Sequence, residues 1–283
     1  MAMYTSTGEP LLTDAEVADL LVTPVLAATV ATAAPGVLST LTRTASHVYR
    51  IPRITEDATA SWTAEGQEIA PSDLAVDEIV TVPAKVAGLS VLSSEMVDDS
   101  NGAAPDLVGD SLVRDVARRI DEAFCGTPGG LAPPGLESTN PTEIDGGGLT
   151  NLDPFAEAVA AVEGEGGRVT GWLAHPQDAL ALVTMKDSDG SARALLAADP
   201  TQPGARVIEG RPMLTSPAVT RGSVWAVDGS RVHVIVRQDA SVEVDSSIFF
   251  SSDRVAVRAI MRVGFAFAHE PSIARIALTS PTA

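Results

Sequence analysis

The amino-acid sequence predicts an α+β fold, a helix-backed sheet with projecting arms, and three observations predict it. Residues 255–267 alternate strictly between apolar and other side chains, the signature of one long, half-buried strand. Residues 105–125 repeat apolar side chains every four positions, the stripe of an amphipathic helix. Residues 46–92 read as two long strands joined by a polar tip, an extended hairpin.

Taken in order, residues 1–45 read as an extended arm with one short helix. Thr13 with Glu16 fits a capping box, Ala15 to Leu21 continues in helical register, and Pro24 limits that helix. The arm has too few large residues to fold alone and is expected to lie along another surface. In the next segment His47 to Ile54 reads as a strand. Thr55 to Asp73 is polar with Trp62 its only aromatic, and Val76 to Leu92 is a long β-rich run. Between Ile54 and Ala84 stand seven acids (Glu56, Asp57, Glu65, Glu68, Asp73, Asp77, Glu78) and no base. An isolated two-stranded hairpin is marginal in water, so a long acidic one needs a surface to lie on.

In the helix at 105–125, Pro105 suits the first turn. Val108, Leu112, Val116, Ile120 and Phe124 form the stripe, with Val113 and Ala117 beside it. The opposite face offers Asp110 to Arg114 and Asp115 to Arg119 at i,i+4, and Gly126 ends the helix. Residues 127–148 read as a Pro/Gly-rich loop. Residues 149–230 read as an α/β unit. It has helices from Asp153 to about Glu163 and from Pro176 to about Met185, and strands at Val169–Ala174, Pro212–Thr215 and Ser223–Val227. Asp187 to Gly190 forms a turn. In the last, β-rich part, Val255, Val257, Ala259, Met261, Val263, Phe265 and Phe267 share one face. Arg254, Arg258 and Arg262 line the other.

Composition narrows the function classes. Of 283 residues 45% are hydrophobic, enough for a sizeable core, while 4% are aromatic, so that core is aliphatic. A formal net charge of −18 disfavours gripping phosphate backbones through the bulk field, and assembly would have to overcome self-repulsion by buried area and local charge pairing. Lys85 and Lys186 are the only lysines. The remaining bases are arginines, better suited to bidentate interface pairing, although biased genomic composition gives the same skew. Cys125, the only cysteine, excludes an internal disulfide and reads as a small core residue. No signal peptide opens the chain, and Asp19, Pro24 and Pro35 break up the apolar stretch from Val17 to Val37, so no membrane span is expected.

No catalytic pattern emerges. The glycine clusters lack a following Lys-Ser/Thr, and His47, His175, His233 and His269 are scattered without metal-ligand spacing. No G-x-S-x-G elbow occurs, and acidic pairs such as Asp98-Asp99 suit caps and turns. No enzyme activity, cofactor or metal is expected. The acidic hairpin and the arginine-lined strand could be ordinary solvated faces, or the hairpin of one subunit could lie over a basic face of its neighbour.

Several runs resemble the tailed-bacteriophage major capsid proteins of the Hong Kong 97 fold family. Ile51-Pro52-Arg53, Trp62 through Ile69 and Ser72-Asp73 resemble that family's extended E-loop. Pro83 to Gly88 and Ser93 to Ser100 resemble the strand and turn entering its spine helix, which here would end at Phe124-Cys125-Gly126-Thr127-Pro128 and continue to Pro134-Gly135-Leu136. Ala179 to Leu195 and Glu209 to Met213 resemble its axial domain, and the strands through Ala266-Phe267-Ala268-His269 its peripheral sheet. The likeness covers roughly residues 35–280.

The resemblance implies an N-terminal arm (1–45), an E-loop β-hairpin (46–92), a peripheral domain in two parts (93–148 with the spine helix, 231–283 with the sheet) and an axial domain (149–230). It implies self-assembly into hexamers and pentamers of an icosahedral virion capsid around double-stranded DNA, built in the bacterial host cytoplasm without sequence-specific DNA binding. The partners implied are a portal, a separate scaffolding protein and a decoration protein. Scaffolding is assigned to a separate protein because Met1 lies only a few dozen residues before the matched region, though a truncated chain would look the same. Trp62, Glu65, Glu68 and Asp73 are the E-loop contact residues, and Arg114, Arg118, Arg119, Arg254, Arg258 and Arg262 their basic partners on a neighbour. One branch of the family crosslinks through an E-loop lysine, an asparagine and a glutamate. Here the tip has no lysine, and Val255 and Arg262 occupy the other two positions, so crosslinking is not expected. The alternatives are an encapsulin-type nanocompartment shell protein and an unrelated α+β enzyme.

Overall fold

The computed structural model describes residues 25–26, 28–56, 60, 62–68, 75–99, 103–127, 129–148, 151–186, 196 and 206–279. Its first elements are one helical turn, α1 (Val30–Ala33), then β1 (Thr40–Arg43), β2 (Tyr49–Glu56), β3 (Ala75–Thr81) and β4 (Ala84–Ser93). Two helices follow, α2 (Ser94–Asp99) and α3 (Ala103–Cys125), then β5 (Thr142–Gly147), α4 (Asp153–Gly164), β6 (Gly171–Ala174) and α5 (Pro176–Thr184). The remaining strands are β7 (Val207–Ile208), β8 (Arg211–Thr215), β9 (Ser223–Val227), β10 (Val232–Phe249), β11 (Arg254–Phe267) and β12 (Ala274–Leu278). The capping box at Thr13, the turn at Asp187 to Gly190 and Asp73 lie outside the described residues.

The strands form three sheets. A four-stranded sheet runs β1-β10-β11-β4, a six-stranded sheet β5-β12-β9-β6-β8-β7, and β2 pairs with β3 alone. The alternation at 255–267 produces the long antiparallel β10–β11 pair, and β4 pairs with β11 from Arg254↔Ser93 to Val263↔Ala84.

Helix α3 covers one face of the four-stranded sheet. A Cβ on Gly88 would meet Leu112, and one on Gly109 would meet Val242, so helix and strands approach closely along this line. Val116, Ile120 and Phe124 from the helix pack with Ala259, Met261 and Val263 from β11, and Phe124 meets Phe265 edge-on at 5.3 Å. The second core lies between the six-stranded sheet and helices α4 and α5, where Phe155 meets Trp172 at 5.0 Å.

Four expectations need correction. The arm's described half does not await another surface, because Val25, Ala31 and Leu38 are fully buried in the α3 core. There β1 pairs in parallel with β10. The run from Val76 to Leu92 is two strands, broken at Val82-Pro83, where the chain leaves the hairpin and enters the four-stranded sheet. The glycine-rich loop contains β5, an edge strand parallel to β12. Through β5 and β12 the six-stranded sheet takes strands from chain segments before and after the α/β unit. Finally, the salt bridges on α3 form at i,i+3, as Arg118–Asp115 at 3.4 Å and Arg119–Glu122 at 2.9 Å, not at i,i+4.

Candidate assembly surfaces

The β2–β3 hairpin leaves the body of the subunit from a narrow base. Thr81 donates to the Phe265 carbonyl at 3.2 Å, and a Cβ on Gly264 would collide with Thr81 at 2.8 Å, so glycine lets the base seat against β11. Beyond the base, seven register positions from Tyr49↔Thr81 to Glu56↔Ala75 pair the two strands only with each other. Val76 and Val80 stay exposed along it. The hairpin neutralises part of its own charge, which the sequence alone did not reveal. Arg53 binds Asp77 at 3.0 Å, and Arg50 binds Glu78. The Glu78 amide and the Arg53 side chain hold the Asp77 carboxyl below its usual range. The partners were visible as basic residues on the preceding strand.

Two acids of the tip, Glu65 and Glu68, lie among the described residues. Glu65 and Glu68 are exposed and make no ion pair among the described residues, and Trp62 is completely exposed at 106%. A turn closed by Gln67 donating to the Ala64 carbonyl at 3.1 Å, with Gly66 at φ 81°, shapes this end.

The six arginines do not form one patch. Arg254, Arg258 and Arg262 pair in register with Ser93, Leu89 and Lys85, which puts them on the sheet face away from α3. Arg114, Arg118 and Arg119 lie on the exposed side of α3. The two sets therefore sit on opposite sides of the helix–sheet layer. Some are engaged within the chain: Arg258 binds Glu243, Arg262 donates to Gln238 at 3.2 Å, and Arg118 and Arg119 bind their helix neighbours. Arg114 and Arg254 have no ion pair among the described residues. Val255 on β11 is buried.

Two further residues went unread in the sequence. Lys85 is exposed on β4, makes no ion pair among the described residues, and stands on a strand with a free edge. Asp121 lies inside the apolar stripe of α3, four residues after Ala117, and that misplaced acid was the available signal. Its carboxylate accepts from the amides of Val30, at 2.9 Å, and Ala31, capping α1 from another element. Burial raises its pKa to about 6 despite those bonds. Burial also pushes up the Cys125 thiol, helped by the charge of Asp121.

Among the described residues no group of three or more His, Cys, Asp or Glu side chains could hold a metal ion, and no helix is long and apolar enough to cross a membrane.

Residues 36–277 match the family model described as the phage capsid family. No curated protein matches the chain. Among solved structures, the capsid of an empty GTA particle superposes with a TM-score of 0.72 at 18% identity, over 86% of this chain and 88% of that one. A chain of Microbacterium phage Oxtober96 gives 0.70 at 19% identity, over 89% and 91%. A chain of Mycobacterium phage Bobi gives 0.69 at 18% identity, over 96% and 97%. At such identities the likeness is one of fold.

Proposed function

Because the chain belongs to the phage capsid family, whose members are structural shell proteins and not enzymes, we propose that its copies close into hexamers and pentamers of an icosahedral shell around double-stranded phage DNA. Its fold is the Hong Kong 97-type capsid fold, and its place is the virion capsid. The observation that carries the assembly reading is the hairpin. It is a two-stranded sheet with exposed valines and an uncovered tryptophan, and among the described residues nothing in its own subunit supports it past the base. A neighbouring copy supplies the missing surface.

In this reading Glu65, Glu68 and Asp73 face arginines of the adjacent subunit, drawn from the α3 set or the β11 set. Obligate interfaces bury upward of about 2,000 Å². Each exposed ion pair adds only about 0.2–1 kcal/mol. Buried area carries stability, and charge sets register. Assembly takes place in the host cytoplasm, with portal, separate scaffolding and decoration proteins as partners, and DNA is held without sequence-specific contacts.

Electron microscopy of the purified protein tests the proposal: closed icosahedral particles support it, and a small oligomer at every concentration overturns it. The pairing is tested by Glu65→Lys with Glu68→Lys. This variant keeps the wild-type circular dichroism spectrum and assembles poorly; normal shells from it would remove the charge pairing from the scheme.

A further inference from the structure

We propose that Trp62 of one copy seats in an apolar groove beside β4 of a second copy, head to tail. This rests on the shell reading above and names the anchor of the hairpin contact. The groove, of about 390 Å³, lies between the free edge of β4, the exposed flank of α3 and the loop after that helix. Val86, Ile120, Leu131 and Pro133 are among the residues that line it, and Lys85 and Arg119 stand on its rim.

Three observations select the occupant. Leu131, on the lip, is 95% exposed, so the groove is uncovered in the free subunit. The tip that carries Trp62 also carries Glu65 and Glu68, which complement Lys85 in sign; Lys85 has no ion pair within its own chain among the described residues, whereas Arg119 on the same rim is held by Glu122. The occupant is not the same chain's tip. The groove starts at Ala84, three residues past the hairpin base at Thr81, and the seven residues of β3, at about 3.3 Å each, carry the tip roughly 20 Å away from it. An indole also suits the place. A large aromatic filling a desolvated pocket, ringed by charges, is the usual form of an interface anchor.

The contact uses two different patches, tip and groove, so it is heterologous. Repeated around an axis, such a contact closes into a ring.

The test uses the full chain with single cysteines introduced as Ala64→Cys, exposed on the tip beside the retained Trp62, or Leu131→Cys. The native Cys125 is buried, with its thiol pushed up, and stays silent. Mixed and oxidised, the two variants form a disulfide-linked dimer that neither forms alone, and the doubly substituted chain gives a ladder of linked copies. Trp62→Ala, a change at a fully exposed position, leaves folding intact and raises the concentration for half-assembly about thirty-fold. Particles that assemble without a 64–131 linkage, or a Trp62→Ala chain that assembles at the wild-type concentration, would overturn the groove and leave the shell reading standing. Linkage of Ala64→Cys to itself would overturn the head-to-tail arrangement. An unmodified chain that never assembles would remove both.

Discussion

Replacing Asp121 with asparagine should change how the stability of the subunit depends on pH. The carboxylate is 8% exposed and stands in for the missing cap of α1, because Thr29 makes no side-chain cap bond. Moving its pKa from 3.8 in the unfolded chain to about 6 in the folded one is worth about 3 kcal/mol. The folded value is the higher one. The folded state therefore holds the proton more tightly, and the contribution is fully present below about pH 3.8 and lost as pH rises through about 6. The amide introduced by Asp121→Asn cannot titrate, yet it keeps a carbonyl oxygen for the Val30 and Ala31 amides. Urea unfolding of the unassembled subunit, in parallel for wild type and Asp121→Asn, should show the variant gaining about 2 kcal/mol relative to wild type between about pH 4 and pH 7. Other titrating groups cancel in that difference. Two stability curves that run parallel across this range would refute the reasoning.

Two other perturbations test the packing. Gly135→Ala would place a Cβ 2.0 Å from the Ala123 carbonyl oxygen, 2.4 Å from that of Gly126 and 2.6 Å from that of Phe124, all backbone atoms at the end of α3. The expected loss exceeds about 4 kcal/mol and reads out as insoluble or unfolded protein; a thermal midpoint near wild type would show that the loop can move. Phe124→Ala removes a fully buried ring from between α3 and the sheet and should cost about 3–5 kcal/mol by denaturant titration, with a loss below about 1 kcal/mol ruling out the packing described.

What the sequence made legible follows from local periodicity. Helix α3 and strand β11 were readable because one face of each is buried and the other is not, so the pattern survives in the chain itself. Strand β5 was not readable for the opposite reason. Its glycines look like loop residues, yet a Cβ on Gly146 would lie 2.6 Å from Ile276 and 2.7 Å from Leu278. That glycine is needed for close packing against a strand about 130 residues away, and no local signal reports such a neighbour. The break at Pro83 was legible in principle, since proline cannot donate within a central strand. The tip residues Trp62, Glu65 and Glu68 stood out because they are conspicuous in a polar segment. The arginines proposed to face them did not separate into two sets until β4 and β11 were in register, because a list of arginines does not say which side of a layer each occupies.

The topology also constrains when a subunit becomes competent. Strand β1 finds its place only against β10, some 190 residues later, and the six-stranded sheet joins β5 to β9 through β12. A chain emerging from the ribosome therefore cannot complete either sheet early. Until residue 278 has cleared the exit tunnel, β5 lacks its partner and Ile276 leaves a gap in the second core. Such non-local pairing makes folding slow compared with helical chains. It also delays recruitment: half-made chains, although their hairpin is already synthesised, present no finished body for a growing shell to capture.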